Sequence, residues 1–127
     1  MTARQSFTSG QVFTAAQANA LAEATVAVNA QGTATSYTLA LTDAGKLVTF
    51  TGAASTVTIP LNSSVAFAVG DQINIAQLGT AQITIGTASG VTLESEGSKI
   101  KTKGQFAVVT CVQYTTDSWL LLGNLGS

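Results

Sequence analysis

The sequence predicts a mainly β fold, a compact antiparallel β-sandwich or barrel with an N-terminal arm and a short α-helix. Three observations carry that expectation. From Ser36 to Leu125 the chain is a succession of short apolar alternations separated by Thr, Ser and Gly. In Ser55-Thr56-Val57-Thr58-Ile59-Pro60, Val57 and Ile59 fall on one side and Thr56 and Thr58 on the other. The stretch Ala81-Gln82-Ile83-Thr84-Ile85-Gly86 repeats that pattern. Period two is the spacing of a half-buried strand, because successive side chains point to opposite faces of the pleat. Turn signals recur about every ten residues, which leaves room for about eight to ten short strands.

The elements follow in order. Residues 1–13 are polar apart from Phe7, Val12 and Phe13, and Ser9-Gly10 reads as a turn. Thr14-Ala15-Ala16-Gln17 fits a capping box, with Phe13 and Ala18 at the hydrophobic-staple positions. A helix is expected from there to about Asn29, ended by Gly32. Its apolar stripe of Ala18, Leu21, Thr25 and Val28 is thin, so this helix needs a partner surface. That surface is either its own β-domain or another protein. Phe7, Val12, Phe13, Leu21 and Val28 are the candidate partner-anchoring residues, and residues 1–35 form the anchor or oligomerisation segment.

Residues 36–127 form the β-domain. Tyr37, Leu39 and Leu41 alternate, and Thr42-Asp43-Ala44-Gly45 turns the chain. Lys46 to Thr51 places Leu47 and Thr49 on one side, Val48 and Phe50 on the other. After Thr56–Ile59, Pro60 lacks an N–H and closes the strand or marks a sheet edge. Val65, Phe67 and Val69 alternate up to the turn Gly70-Asp71. Ile73, Ile75 and Gln77 follow, joined through Gly79-Thr80 to Ile83 and Ile85 as an expected hairpin. Val91 and Leu93 make a further strand. Residues 94–103 concentrate charge and read as an exposed loop or edge. Gln105 to Tyr114 is the longest strand candidate, apolar on both faces and therefore central or sandwiched. A turn at 115–118 leads into Trp119–Leu122.

Composition narrows the chemistry. The 127 residues are 46% hydrophobic and 9% charged, with 5 basic and 6 acidic side chains and no histidine. A net charge of −1 is too weak a field to steer toward phosphate or an anionic membrane. Neither a nucleic-acid nor a membrane partner is expected. Interface centres are depleted in charge, so a surface this bland favours assembly over a monomer with a Thr-rich face. The single Cys111 has no histidine to activate it and reads as a small buried group. Zinc sites and Ser/His/Asp sets cannot form, so no metal, cofactor or catalytic residue is assigned. Glu94 and Glu96 share strand parity but read as solvated surface rather than a glycosidase pair. Lys99, Lys101 and Lys103 read as a solvated edge. Trp119 within Trp119-Leu120-Leu121-Leu122 reads as core; with Tyr114 it is the alternative sugar-stacking candidate. No continuous apolar segment follows the N-terminus, so a secretory signal is not expected.

Two stretches carry a resemblance. The opening pattern Phe7-Thr8-Ser9-Gly10, Phe13-Thr14-Ala15-Ala16 and Asn19-Ala20-Leu21 resembles small virion proteins of tailed bacteriophages. The body is similar to a β-module of phage tail-fibre, minor tail and head-surface proteins. Its matching residues are Leu41-Thr42-Asp43-Ala44-Gly45-Lys46-Leu47-Val48, Thr58-Ile59-Pro60, Asn62-Ser63-Ser64-Val65, Gly90-Val91 and Asp117-Ser118-Trp119, with shorter matches between. The resemblance implies a non-enzymatic virion component, made in the host bacterial cytoplasm. It further implies a homotrimer anchored by its N-terminal segment to the major capsid protein or to tail proteins. One small domain with one short anchor suits a capsid decoration protein or short head fibre. The alternative is a minor tail, tail-tip or tail-fibre protein contributing to host-surface adhesion.

Overall fold

The computed structural model describes residues 27–127. Phe7, Val12, Phe13 and Leu21, and the helix expected from Thr14, lie outside the described residues. Eleven strands form two sheets: β1 (Val28–Gly32), β2 (Ser36–Thr38), β3 (Leu47–Phe50), β4 (Ser55–Ile59), β5 (Gln72–Gln77), β6 (Ile83–Thr87), β7 (Thr92–Ser95), β8 (Lys101–Thr102), β9 (Val108–Thr115), β10 (Ser118–Gly123) and β11 (Leu125–Gly126). The larger sheet has the order β1-β3-β5-β9-β10-β7 and the smaller β11-β8-β6-β4-β2. The expected mainly β, two-layer class is what the chain adopts.

The pairing sense corrects the antiparallel part of that expectation. From β1 to β6 the chain crosses to the other sheet after every strand. Successive strands of one sheet therefore run the same way: β1, β3 and β5 are mutually parallel, as are β2, β4 and β6. Antiparallel pairing begins at β9, which joins β5 to β10, and at β8 beside β6. The hairpin expected at Gly79-Thr80 is one of the crossovers, since β5 and β6 lie in different sheets. The predicted helix end is also corrected. Val28 and Asn29 belong to β1, paired with β3, so the sheet begins before residue 36.

Glycines let the crossovers stack. A Cβ on Gly52 would lie 2.7 Å from Thr33 Cα, and one on Gly79 would lie 2.5 Å from the Thr51 carbonyl oxygen. Each coil thus presses on the one before it, where no larger residue fits. Between the sheets, Val48, Ile75 and Val109 form one row of the core, and Ile73, Cys111 and Leu121 another. Val57, Ile59, Ile83 and Ile85 face them from the smaller sheet. Each such side chain contributes about 1.5–3 kcal/mol by leaving water. Trp119 is 1% exposed and meets Phe67 edge to face at 5.3 Å.

The Val65-Phe67-Val69 alternation does not form a strand. Phe67 N–H donates to the Val65 carbonyl, and the Phe67 carbonyl accepts from the side chains of Asn62 and Gln113. Side-chain amides replace a ladder there and tuck the ring into the core. Asp43, 0% exposed, ties the N-terminal coil together. It accepts from Asn29 Nδ2 at 2.7 Å, from the Tyr37 hydroxyl at 2.5 Å and from Ala40 N–H at 2.8 Å. A buried carboxylate is tolerated only when bonded in this way.

Candidate functional site

Strand parity that turns Val48 and Ile75 inward turns their neighbours outward. On the larger sheet the outward rows are Val28, Leu47, Asn74, Thr110 and Leu122, then Ala30, Thr49, Ala76 and Val108, of which Thr49 and Ala76 are buried within the chain. A third runs Gln72, Val112, Leu120 and Glu94. Most of these side chains are apolar or small. Val28, Val108, Leu120, Leu122 and Tyr114 are all exposed. Glu94 is the only charge in the rows, and it accepts the Tyr114 hydroxyl at 2.5 Å. That hydrogen bond, before any burial, holds the Tyr114 proton more tightly than usual.

With strands about 4.8 Å apart and about 3.3 Å per residue, the face spans on the order of 400 Å². Its exposed apolar side chains group on β9 and β10, at Val108, Tyr114, Leu120 and Leu122, with Val28 at the far margin, and an exposed apolar cluster on a monomer is often functional. The smaller sheet offers the opposite surface. Its outward rows are Ser36, Thr56, Thr84 and Lys101, then Thr38, Thr58 and Gly86. Both sheets have apolar inner faces, but only the larger exposes Leu and Val side chains from its outward strand positions.

Of the expected anchoring residues, Val28 is 61% exposed at the β1 margin of this face. The other four lie outside the described residues. Reading by sequence position missed Leu120, Leu122 and Val108. The apolar character of both faces of Phe106–Tyr114 was the signal for Val108, and the unbroken apolar run Trp119–Leu122 that for Leu120 and Leu122. Next to Leu120 and Leu122, where β7 stops, a groove of about 280 Å³ is bordered by Glu96 and Lys99.

The other chemical candidates resolve simply. Cys111 is buried, and burial pushes its thiol up to about 12, so it stays protonated at neutral pH. Trp119 lies in the core and offers no stacking surface. Among the described residues no group of three or more His, Cys, Asp or Glu could hold a metal ion. No helix among them is long and apolar enough to cross a membrane. Comparison with protein-family models, curated proteins and solved structures finds no match.

Proposed function

We propose that this protein is a structural component of a tailed-bacteriophage virion that works by assembly, as a capsid decoration protein or short head fibre. One observation carries the reading: the outer face of the larger sheet exposes Val108, Tyr114, Leu120 and Leu122, while a two-layer fold needs only the inner face buried. A sheet apolar on both faces is normally covered on both. The partner proposed for the outer face is a second copy of the chain, in a homotrimer. The face bears a single carboxylate, already hydrogen-bonded, so copies meet there without like-charge repulsion. The N-terminal segment then binds the particle, stabilising capsid subunits by mass action.

Light scattering on the purified full chain tests the assembly step. A mass three times the 12.8 kDa of one chain is expected, and a monomer at micromolar concentration refutes it. Copy number in purified virions tests the location. A number comparable with the major capsid protein places it on the head, and a few rings' worth assigns it to the tail.

A further inference from the structure

Phe106 is 68% exposed, and its backbone sits at φ +70. For a bulky L side chain the left-handed region is sterically costly, and glycine occupies it freely. Elsewhere among the described residues glycine occupies such positions, or the small polar Ser98 and Asp117. Among the described residues Phe106 is the only large apolar side chain held this way. Burial does not compensate for the strain, because the ring is in water. Strain that packing leaves unexplained is a mark of functional positions.

The backbone that carries the ring is held by hydrogen bonds. Ala107 N–H donates to the Gly104 carbonyl at 3.1 Å, closing the turn, and Phe106 N–H donates to the Gln77 carbonyl. Lys103 N–H donates to the Asn124 carbonyl at 2.9 Å, and Asn124 N–H to the Val108 carbonyl at 3.1 Å. The β8–β9 and β10–β11 connections are thereby clipped side by side. A cleft of about 310 Å³ opens there, lined by Lys103, Gly104, Gln105, Phe106, Ala107 and Asn124. That is the lower end of the range for small-ligand sites. The side chains of Lys103 and Asn124 make no hydrogen bond or ion pair with another described residue.

We propose that Phe106, Lys103 and Asn124 form a binding site for an acidic saccharide. One face of a pyranose ring is a flat patch of electropositive C–H groups, which complements the negative π-face of an aromatic ring. The Asn124 amide serves both hydroxyl donors and acceptors. The Lys103 ammonium matches a carboxylate with a charge-assisted hydrogen bond. A protein-interface centre, by contrast, is depleted in lysine. The site lies at one end of the sandwich, beside Val108 at the margin of the proposed assembly face, and its chemistry is argued without the assembly reading.

The test is an NMR titration of the full chain with glucuronate- and sialate-bearing oligosaccharides, with a neutral glucose oligosaccharide as control. Saturable shifts at the amides of Phe106 and Asn124 are expected with an acidic sugar. The neutral sugar should bind about tenfold more weakly, the worth of one charge-assisted hydrogen bond. Lys103→Gln should abolish that preference. Phe106→Gly should lose binding and at the same time raise Tm, because the backbone strain is relieved. Absence of shifts with either acid overturns the proposal, as does full binding by Phe106→Gly. A lowered Tm for Phe106→Gly would make the ring structural. Loss of oligomeric state or particle attachment without sugar binding would assign it to a protein contact; either result also overturns the proposal.

Discussion

The two sheets present similar faces to each other and opposite faces to solvent. Inward, both carry buried side chains at every second position, mostly apolar, with Gln77 and Gln113 among them in the larger sheet. Outward, the smaller sheet carries chiefly Thr and Ser, and the larger exposes Leu, Val and Tyr beside the polar Asn74, Thr110 and Gln72. Threonine keeps the β-branched stiffness that suits a strand while offering a hydroxyl to water. The outer face of the smaller sheet thus suits both folding and contact with water. The outer apolar face of the larger sheet is surplus to folding, and that surplus is the reason to assign it to assembly.

The largest expected effects test the sameness of the inner faces. Ile75→Ala in the larger sheet and Ile85→Ala in the smaller should each cost about 2–5 kcal/mol, read from denaturant midpoints. A large disparity would mean that the two layers do not share one core. Next comes the outer contrast. Leu120→Lys places an unpaired charge at the proposed interface and should weaken association by roughly two orders of magnitude, a cost of about 3 kcal/mol. Its effect on folding should stay within about 0.5 kcal/mol, since the side chain is exposed. Thr56→Lys on the smaller sheet should leave the sedimentation profile unchanged, and dissociation by that variant would erase the contrast.

The relative placement of the sheets rests on the crossovers. Gly79→Ala drives a methyl into the Thr51 carbonyl and should cost about 1–3 kcal/mol in thermal unfolding. A smaller and graded effect is expected with pH. Burial first, then the bond to Asp43, pushes the Tyr37 hydroxyl up to about 12 from 10.0. The unfolded chain releases that proton at lower pH than the folded one, so stability should fall as pH rises from about 10 to 12. Cys111, raised from 9.0, extends the decline toward pH 9. Tyr37→Phe should flatten part of this slope in denaturant titrations at fixed pH steps. The smallest effect sharpens the comparison from the other side. Thr56→Val with Thr84→Val should barely alter folding yet add a second, weaker self-association.

Much of this was legible without coordinates. Alternation alone sorted Val57 and Ile59 from Thr56 and Thr58, and Val48 and Phe50 from Leu47 and Thr49. It also placed Trp119 in the core. The turns at Gly45 and Gly70 read correctly, because both glycines take positive φ. The same rule misread Val65-Phe67-Val69, where side-chain amides of Asn62 and Gln113 hold an irregular loop instead of a ladder. Phe106 was placed on a strand face because a pattern of polarity carries no record of a backbone angle.

From its residues alone, this chain determined that it is a mainly β protein, which side of each strand is wet, and where most turns fall. Those properties are local, set by the two-residue repeat of the pleat and by what Gly, Asp and Pro permit. Only the tertiary structure decided which strands lie side by side, which pairs run parallel, and that Val108, Tyr114, Leu120 and Leu122 come together on one outer face. Parity states which way a side chain points and is silent about its neighbour. The neighbour is chosen by crossovers that stack on Gly52 and Gly79 and by a core shared between layers.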